Sequence, residues 1–313
     1  MQLDKKFENL FLNVSCRAAL SSYNFIGKKD KEAADKAAVD SMRSELNKID
    51  MRGRIVIGEG ELDDAPMLYI GESVGTNNGL DLDIAVDPLE GTNFVANNLP
   101  GGLSVIAVAE KSNLFNAPET YMHKISANIT EKDVIDLDFT IKKNIHNLAE
   151  YKNKRPSDLT VCILDRPRHK KIIDELNDFK VKLKLITDGD VSGALLVTDE
   201  KYNVDLFLGE GGGPEGVLAA SALDAFNCFF QGRFLFKTVK DKERANKMGI
   251  KDYDKKYQLN EIISGDSIFC ATGITSGDLV SGIKIDNDMF TSESLITHKS
   301  SGLKRIIKKQ EKI

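Results

Sequence analysis

Residues 80–93 read LDLDIAVDPLEGTN, and this stretch decides the local fold. Apolar side chains recur at every second position up to residue 86, the period that is typical of a β-strand. The strand is predicted to stop at Asp87, where a proline and then Gly91 introduce a turn. The same stretch therefore predicts a strand end that carries polar side chains.

The side chains at this strand end suit phosphoryl chemistry. Asp87 and Glu90 lie three residues apart around the turn, so their carboxylates can reach adjacent positions around a metal ion. Gly91 lets the next backbone amide face a ligand, and Thr92 adds a hydroxyl group at the same edge. An ordinary turn is the alternative interpretation, because proline, glycine and acidic residues favour turns without any function.

Acidic residues also follow three other predicted strands. They are Glu59 and Glu61 after Arg54–Ile57, Asp188 and Asp190 after Val181–Ile186, and Glu210 and Glu215 after Val204–Leu208. One such acid is more often a solvated loop residue, but four clusters at strand ends favour a ligand site. Clusters made of carboxylates alone suit Mg²⁺ or Mn²⁺ rather than zinc. The four histidines lie outside the clusters and are interpreted as surface or structural residues: His123, His146, His169 and His298.

Strand and helix patterns alternate in the second half of the chain. The predicted units are strand 159–164 with helix 167–179, strand 181–186 with helix 191–197, and strand 204–208 with helix 214–226. This order predicts an α/β fold with some parallel strand pairing. A polar stretch precedes it, so we expect a boundary near residues 150–158, with sub-domains 1–155 and 156–313. Elsewhere we expect helices at 3–22 and 31–50, a third after Asp63–Pro66, and an amphipathic helix at 303–313.

Composition excludes several classes of protein. The 313 residues include 43 basic and 48 acidic side chains, a formal charge of −5, which argues against a nucleic-acid-binding protein. No apolar run approaches the ~18 residues that a membrane span needs, and the N-terminal residues do not resemble a signal peptide. The four cysteines form no CxxC pair, as expected of reduced thiols in the cytoplasm.

Two further motifs point to phosphate ligands. Residues 211–216 (GGGPEG) match the GxGxxG pattern of dinucleotide sites, which leaves a dinucleotide-binding protein as an alternative of another class. Against it, two strand–helix units precede the motif, Glu215 would face a pyrophosphate, and the next strand ends in Lys237 rather than in an acid. Arg166 and Arg168 follow a strand and enter a helix, where a phosphate group can bind, although surface ion pairs would use the same residues.

Taken together, the motifs resemble those of the class II fructose-1,6-bisphosphatases of bacteria. The matching segments, in order, are Ile57–Glu61 with Asp64–Pro66, Asp87–Thr92, Asp165–Arg168, Asp188–Asp190 and Gly211–Gly216. The wider superfamily of lithium-sensitive phosphatases, which includes inositol monophosphatases, usually has aspartate at the position of Glu90 and a later WDxAxG motif. This chain has no tryptophan and reads GPEGV at 213–217, which favours the class II branch.

The resemblance implies roles that the residue pattern alone does not give. Asp35 and Glu59 would hold one Mn²⁺ or Mg²⁺ ion, and Asp87, Glu90 and Glu215 would hold a second. The substrate would contact Glu90, Gly91, Thr92, Tyr121, Arg166, Pro167, Arg168, Asp188, Gly189, Asp190 and Gly212. Catalysis would rest on Thr92, Glu59 and Asp87, with Thr92 positioning the attacking water.

The implied activity is removal of the 1-phosphate of fructose 1,6-bisphosphate, a step of gluconeogenesis. The implied fold is a layered α/β/α/β/α sandwich with the site between two sub-domains, in a cytoplasmic homo-oligomer, a dimer or tetramer. The partner is a small sugar bisphosphate, with no nucleic acid and no membrane. Sedoheptulose 1,7-bisphosphate and inositol phosphates remain alternative substrates, because the arginine pair does not distinguish six-carbon from seven-carbon sugars.

Overall fold

The computed structural model describes residues 2–60 and 67–313 and confirms the α/β class. In chain order its elements are α1 (Lys6–Tyr23), α2 (Lys31–Leu46), β1 (Met51–Ile57), β2 (Ser73–Val74), β3 (Leu80–Glu90), α3 (Thr92–Ala96), β4 (Leu103–Glu110), β5 (Tyr121–Ala127), α4 (Ile141–Tyr151), β6 (Thr160–Leu164), α5 (Lys170–Asp178), β7 (Lys182–Ile186), α6 (Asp190–Leu195), β8 (Leu206–Gly212), α7 (Gly213–Ala225), β9 (Phe229–Leu235), α8 (Val239–Lys247), β10 (Tyr257–Gln258), α9 (Leu259–Ile262), β11 (Ser267–Gly273), β12 (Lys284–Asp286), β13 (Met289–His298) and β14 (Leu303–Lys312). Short 3₁₀ turns occur at Pro156–Asp158, Pro167–His169, Leu196–Thr198 and Glu200–Tyr202.

The chain forms two compact units. The first comprises Met1–Ala117 and Ile262–Ile313, and the second comprises Pro118–Glu261. The division therefore differs from the expected one at residue 155, which falls inside the second unit. The polar stretch that was expected to connect two sub-domains contains α4, an amphipathic helix. Its Ile145 and Leu148 are fully buried, so the stretch is part of the second unit rather than a boundary.

The first unit is a sheet covered on one face by α1 and α2. Its strands follow the order β12-β13-β11-β4-β3-β1-β2, with β14 paired to β13. Helix α1 repeats apolar residues at helical spacing, and Phe7 and Phe11 lie in the core between helix and sheet. Helix α2 begins where Asp30 caps it, its side chain accepting a hydrogen bond from the Ala33 amide. The helices predicted at 3–22 and 31–50 are confirmed, the second ending at Leu46.

The second unit is a sheet with helices on both faces. Its strands follow the order β10-β9-β5-β8-β6-β7, with β6 parallel to both β7 and β8. The alternation along β5 separates the two faces. Ile125 belongs to the core that contains side chains of α4 and α5, whereas Lys124 and Ser126 hydrogen-bond to residues of α6. The three predicted strand–helix units are confirmed here.

Three expectations need correction or lie out of reach. The terminal segment is strand β14 rather than a helix, and it pairs with β13 from Leu303 to Lys312, so a ladder of backbone hydrogen bonds outweighs its helical periodicity. Strand β3 continues to Glu90 instead of stopping at Asp87. The helix expected after Asp63–Pro66 would begin outside the described residues, and the described residues that follow, 67–72, are turns and bends rather than its continuation. Among the helices that the structure describes, none has both the length and the apolar character that a membrane span requires.

Candidate active site

The segment from Asp87 to Glu90 ends β3 in a bulge. Between these two residues, β3 carries one more residue than the facing part of β4. The bulge accommodates Pro88, which has no backbone N–H to donate to a neighbouring strand. On the other side, the pairing of β1 with β3 has already ended at Ala85. The half-buried Asp87 and the buried Glu90 therefore flank the bulge at the end of β3.

Gly91 turns the chain from β3 into α3. Its φ of 76° lies in the left-handed region that favours glycine. A Cβ atom at this position would lie 2.7 Å from Cδ2 of Phe94, whose amide donates a 2.8 Å hydrogen bond to the Gly91 carbonyl. The half-buried Thr92 is the first residue of α3. The side chains of Asp87, Glu90 and Thr92 thus belong to one strand end.

Glu59 follows β1, the neighbour of β3. The two strands run parallel, so their carboxyl ends lie at the same edge of the first sheet. The Glu59 amide donates a 3.0 Å hydrogen bond to the carbonyl of Leu68. Gly58 permits this close approach, because a Cβ there would lie 1.9 Å from the same carbonyl oxygen. Glu59 and Asp87 therefore stand at the ends of adjacent parallel strands, whereas Glu61 lies outside the described residues.

Asp35 lies on α2, a helix that packs against β3 and α3. The residue is half-buried, and burial raises the pKa of its carboxyl group. A cation placed beside such a carboxylate would favour its charged form and offset the cost of burial. Asp35 is the one proposed metal ligand that the residue pattern gave no reason to select.

The second unit brings three predicted segments to one edge of its sheet. From β6 the chain passes through α5 to β7, on one side of β6, and then through α6 to β8, on the other side of β6. The direction in which strands are added to the sheet therefore reverses at β6. Ligands of open α/β sheets bind beyond the carboxyl ends of the strands at such a reversal. The segments at this edge are Arg166, Pro167 and Arg168 after β6, Asp188, Gly189 and Asp190 after β7, and Gly212 at the end of β8.

Tyr121, at the start of β5, lies against two cations. The residue is 44% exposed. The centre of its ring lies 4.8 Å from the guanidinium carbon of Arg168 and 5.1 Å from Nζ of Lys237. Arg168 donates to the backbone carbonyl of Glu210 at 3.1 and 2.8 Å, and Nζ of Lys237 lies 3.7 Å from the Glu210 carboxylate. The excess of positive charge in this cluster suits a phosphate group.

Asp190 turns its carboxylate towards the interior of the second unit. Its Oδ2 accepts a hydrogen bond from Nζ of Lys124, which also donates to the carbonyl of Gly212 at 2.7 Å. Its Oδ1 is enclosed and has no hydrogen-bond partner in residues 2–60 and 67–313. Gly211 makes room for this carboxylate, because a Cβ there would lie 1.9 Å from Oδ2. The half-buried Asp188 is therefore the better candidate to accept hydroxyl groups of a ligand.

Glu215 lies in the first turn of α7 with one carboxylate oxygen enclosed. Within the described part of the chain, this Oε2 atom has no hydrogen-bond partner, although the residue as a whole is half-buried. Burial raises the pKa of the Glu215 carboxyl group. The charge of Lys124 lowers this pKa, and the charges of Asp190 and Asp188 raise it. Gly212 provides the space, since a Cβ there would lie 1.7 Å from the same oxygen.

The chemistry of these groups fits a hard divalent cation. All proposed ligands are carboxylates, the oxygen donors that Mg²⁺ and Mn²⁺ prefer. Asp35 and Glu215 each have a raised pKa, and the enclosed Oε2 of Glu215 has an unused acceptor site. Over residues 2–60 and 67–313, however, the structure contains no group of three or more His, Cys, Asp or Glu residues arranged to hold a metal ion. The ligand set therefore remains a proposal.

His169 connects the ends of β6 and β8. Its Nδ1–H donates to the carbonyl of Leu164 at 2.6 Å, and its Nε2 accepts from the amide of Glu210 at 2.8 Å. The ring is fully buried, and burial lowers its pKa. The structural interpretation of His169 is confirmed, as it is for His298, which lies buried between the carboxylates of Glu8 and Asp266.

Sequence reasoning missed two cations of the second unit. Lys124 is 1% exposed, and the signal was present in the alternation of β5, which puts Lys124 on the same face as the buried Met122 and Ser126. A lysine on such a face indicates an interior ion pair. Lys237 gave no such signal, because it follows β9 in a segment with no recognisable motif.

Comparison with known proteins gives one family. The model of the family described as bacterial fructose-1,6-bisphosphatase, glpX-encoded, matches residues 5–311. A protein of Synechocystis sp. (strain ATCC 27184 / PCC 6803 / Kazusa), named D-fructose 1,6-bisphosphatase class 2/sedoheptulose 1,7-bisphosphatase, is 39% identical over 93% of this chain and 92% of its own. Proteins of the same name from Synechococcus sp. (strain JA-3-3Ab) and Prochlorococcus marinus subsp. pastoris are 38% and 40% identical, over 97% and 91% of this chain and 95% and 90% of theirs.

The lowered pKa of His169 predicts a loss of stability in acid. Because the unfolded chain takes up the proton first, below a pH of about 6.5, the free energy of unfolding should fall by up to about 1.4 kcal/mol per pH unit through this residue. The neighbouring Arg168 opposes the charged ring, while Glu210 and Asp190 favour it. Urea unfolding at pH 7.5 and 5.5 should show a smaller acid loss in His169→Gln than in the wild type. Equal losses in both proteins would contradict the prediction.

Proposed function

Because the chain belongs to the bacterial, glpX-encoded fructose-1,6-bisphosphatase family, we propose that it hydrolyses the 1-phosphate of fructose 1,6-bisphosphate. Water is consumed, and fructose 6-phosphate and inorganic phosphate are released. The observation that carries the choice of a bisphosphate is the cluster of Arg168 and Lys237 around Tyr121. A monophosphate substrate would leave these cations without a ligand.

The distal 6-phosphate would bind at this cluster. Arg168 offers a guanidinium fork and Lys237 a point charge, and the hydroxyl of the exposed Tyr121 can donate to the same group. Arg166, which follows β6 and precedes Arg168 by two residues, adds a third cation to this edge. Asp188 would accept sugar hydroxyl groups, and the backbone at Gly189 and Gly212 lines the remaining edge.

The reacting phosphate would bind at the end of β3. The first amides of α3, which follow Gly91, would donate to it, and the Thr92 hydroxyl would orient the attacking water. Asp35 and Glu59 would hold one divalent ion, and Asp87 and Glu90 a second. In the second unit, Glu215 is a further candidate metal ligand. When bound, such ions supply the positive charge that neutralises the transferred phosphoryl group and makes water more acidic.

Sedoheptulose 1,7-bisphosphate is a second candidate substrate. The relatives reported above are named for both bisphosphatase activities. The two sugars present the same terminal phosphates, so a site with separate phosphate contacts would accept both when the distance between the phosphates is tolerated. An inositol monophosphate lacks the distal phosphate and is the less favoured substrate.

The compartment, the pathway and the oligomeric state are part of the same proposal. The enzyme would act on a small molecule in the cytoplasm, as a step of gluconeogenesis, and would assemble as a homo-oligomer, a dimer or tetramer. Support for a reducing compartment comes from the four cysteines, which are all buried and free of disulfide bonds.

A substrate panel tests the activity and its dependence on metal. We expect phosphate release from fructose 1,6-bisphosphate with Mn²⁺ or Mg²⁺, its loss after treatment with a chelator, and its return when either ion is restored. Sedoheptulose 1,7-bisphosphate should also react, and inositol 1-phosphate should react much more slowly. Full activity in a rigorously metal-free sample, or a preference for inositol 1-phosphate, would overturn the proposal.

Arg168→Ala tests the distal phosphate contact. Loss of a charge-assisted hydrogen bond costs about 1.5–3 kcal/mol, so KM for the bisphosphate should rise roughly tenfold to a hundredfold while kcat changes little. Lys237→Ala should act in the same direction. The matched control is Arg155→Ala, which removes an exposed arginine paired with Asp158 and should leave KM unchanged. An unchanged KM in Arg168→Ala would identify Arg168 as a surface residue.

Three variants test the hydroxyl group of Thr92. Thr92→Ser keeps the oxygen and should retain substantial activity, whereas Thr92→Ala should lose roughly 10²–10⁴-fold in kcat with KM changed little. Thr92→Val keeps the shape without the oxygen and should resemble the alanine variant. Steady-state kinetics decide the point, since an active valine variant with an impaired serine variant would mark Thr92 as a packing residue.

A further inference from the structure

Lys124 is a buried cation for which the proposed reaction has no use. It lies in the middle of β5, it is 1% exposed, and α7 leaves room for its stem at Gly216, where a Cβ would lie 3.2 Å from Cδ of Lys124. Transfer of an ammonium group from water to such a site costs several kcal/mol unless hydrogen bonds and an opposite charge compensate. A buried ion pair is therefore weak support for stability, and its retention calls for another role.

The contacts of Lys124 join two segments of the proposed site. Its Nζ donates to the carboxylate of Asp190, the first residue of α6, and to the carbonyl of Gly212, at the end of β8. Strand β5 already pairs with β8, with Tyr121 opposite Gly212. Among the described residues, the turn that carries Asp188 forms no such ladder with β8, so the Lys124 side chain links the segment after β7 to the strand end.

Two glycines, Gly211 and Gly189, also determine where the Asp190 carboxylate and Asp188 lie. Gly211 has no Cβ, and the Asp190 carboxylate occupies the space where one would lie. Gly189, the N-cap of α6, has a φ of 80° and turns the chain directly from Asp188 into the helix. A change at Lys124 would therefore be transmitted to Asp188 through one turn of backbone.

We propose that Lys124 is a positioning residue, whose ammonium group holds the Asp188–Asp190 turn against Gly212 and so sets the sugar-binding edge of the site. The inference rests on the proposed function, because it assumes that this edge binds the sugar. Lys124 itself need not touch the substrate. Its removal should weaken binding of the sugar bisphosphate more than it slows the chemical step, because a displaced binding edge affects the ground state and the transition state alike.

Kinetics of Lys124→Met on the full-length, metal-loaded protein test the proposal. We expect KM for fructose 1,6-bisphosphate to rise about tenfold or more, with kcat within about threefold of the wild type. Inhibition by inorganic phosphate should change less than about twofold, because inorganic phosphate needs no contact with the sugar edge. A lysine with a merely structural role would lower the fraction of folded enzyme, and hence the apparent kcat, without raising KM.

A matched control is available in the same unit. Asp205 is buried and paired with Lys152 and Lys154, so Lys152→Met combined with Lys154→Met also leaves a buried carboxylate without its cations. This double variant should lower the thermal unfolding midpoint while KM stays at the wild-type value. If it raised KM as much as Lys124→Met does, the effect of Lys124 would be one of general stability, and the proposal would fail.

Asp190→Asn keeps the inference testable if Lys124→Met does not fold. The amide preserves the shape of the side chain and weakens the contact with Lys124, so KM should rise in the same direction by a smaller factor. A KM within about twofold of the wild type in both variants would overturn the inference. An inactive wild-type protein on every sugar bisphosphate would instead overturn the proposed function, so the two failures are distinguishable.

Discussion

Parallel β-strands deliver their carboxyl ends to one edge of a sheet, and both units depend on that geometry. In the first unit, the pairing of β1 with β3 places Glu59 and Asp87 at the ends of adjacent strands. In the second, β6, β7 and β8 end at the edge that carries Arg168, Asp188 and Gly212. Segments far apart in sequence become neighbours within each unit because the hydrogen-bond ladders fix the direction of their strands.

Carboxylates that lie away from solvent differ in whether neighbouring groups compensate for their burial. Burial alone would raise the pKa of Asp205, but hydrogen bonds from Lys154, the Thr160 amide and Lys152 outweigh it, and the pKa is lowered. Asp35 and Glu215 have raised pKa values instead. A cation bound at the proposed ligands Asp35 and Glu215 would offset the cost of their burial, as the two lysines do at Asp205.

The sequence predicted those features that local physics controls. Alternating apolar residues gave β3, and strand–helix alternation gave the sheet of the second unit, because period and turn chemistry suffice for both. The assignment of α4 and of β14 failed, since the first depends on which face the core covers and the second on a partner strand, β13. The unit boundary could not be found locally, because the first unit joins the two ends of the chain. At the candidate site, the acids at strand ends were predictable, whereas Asp35 came only from a family resemblance. Lys124 was missed, although the alternation of β5 contained its signal.

The glycine-rich segment at 211–216 shows how one local property can serve opposite chemistries. In a dinucleotide site, glycines let the backbone approach a pyrophosphate. Here the space that a Cβ would fill at Gly211 and Gly212 is taken by the carboxylates of Asp190 and Glu215. Glu215, in the first turn of α7, would repel a pyrophosphate, and its enclosed Oε2 has no hydrogen-bond partner in the described part of the chain. The motif therefore matches the dinucleotide pattern in sequence alone. Its glycines make room for carboxylates, whose negative charge favours a cation rather than a phosphate at the start of α7.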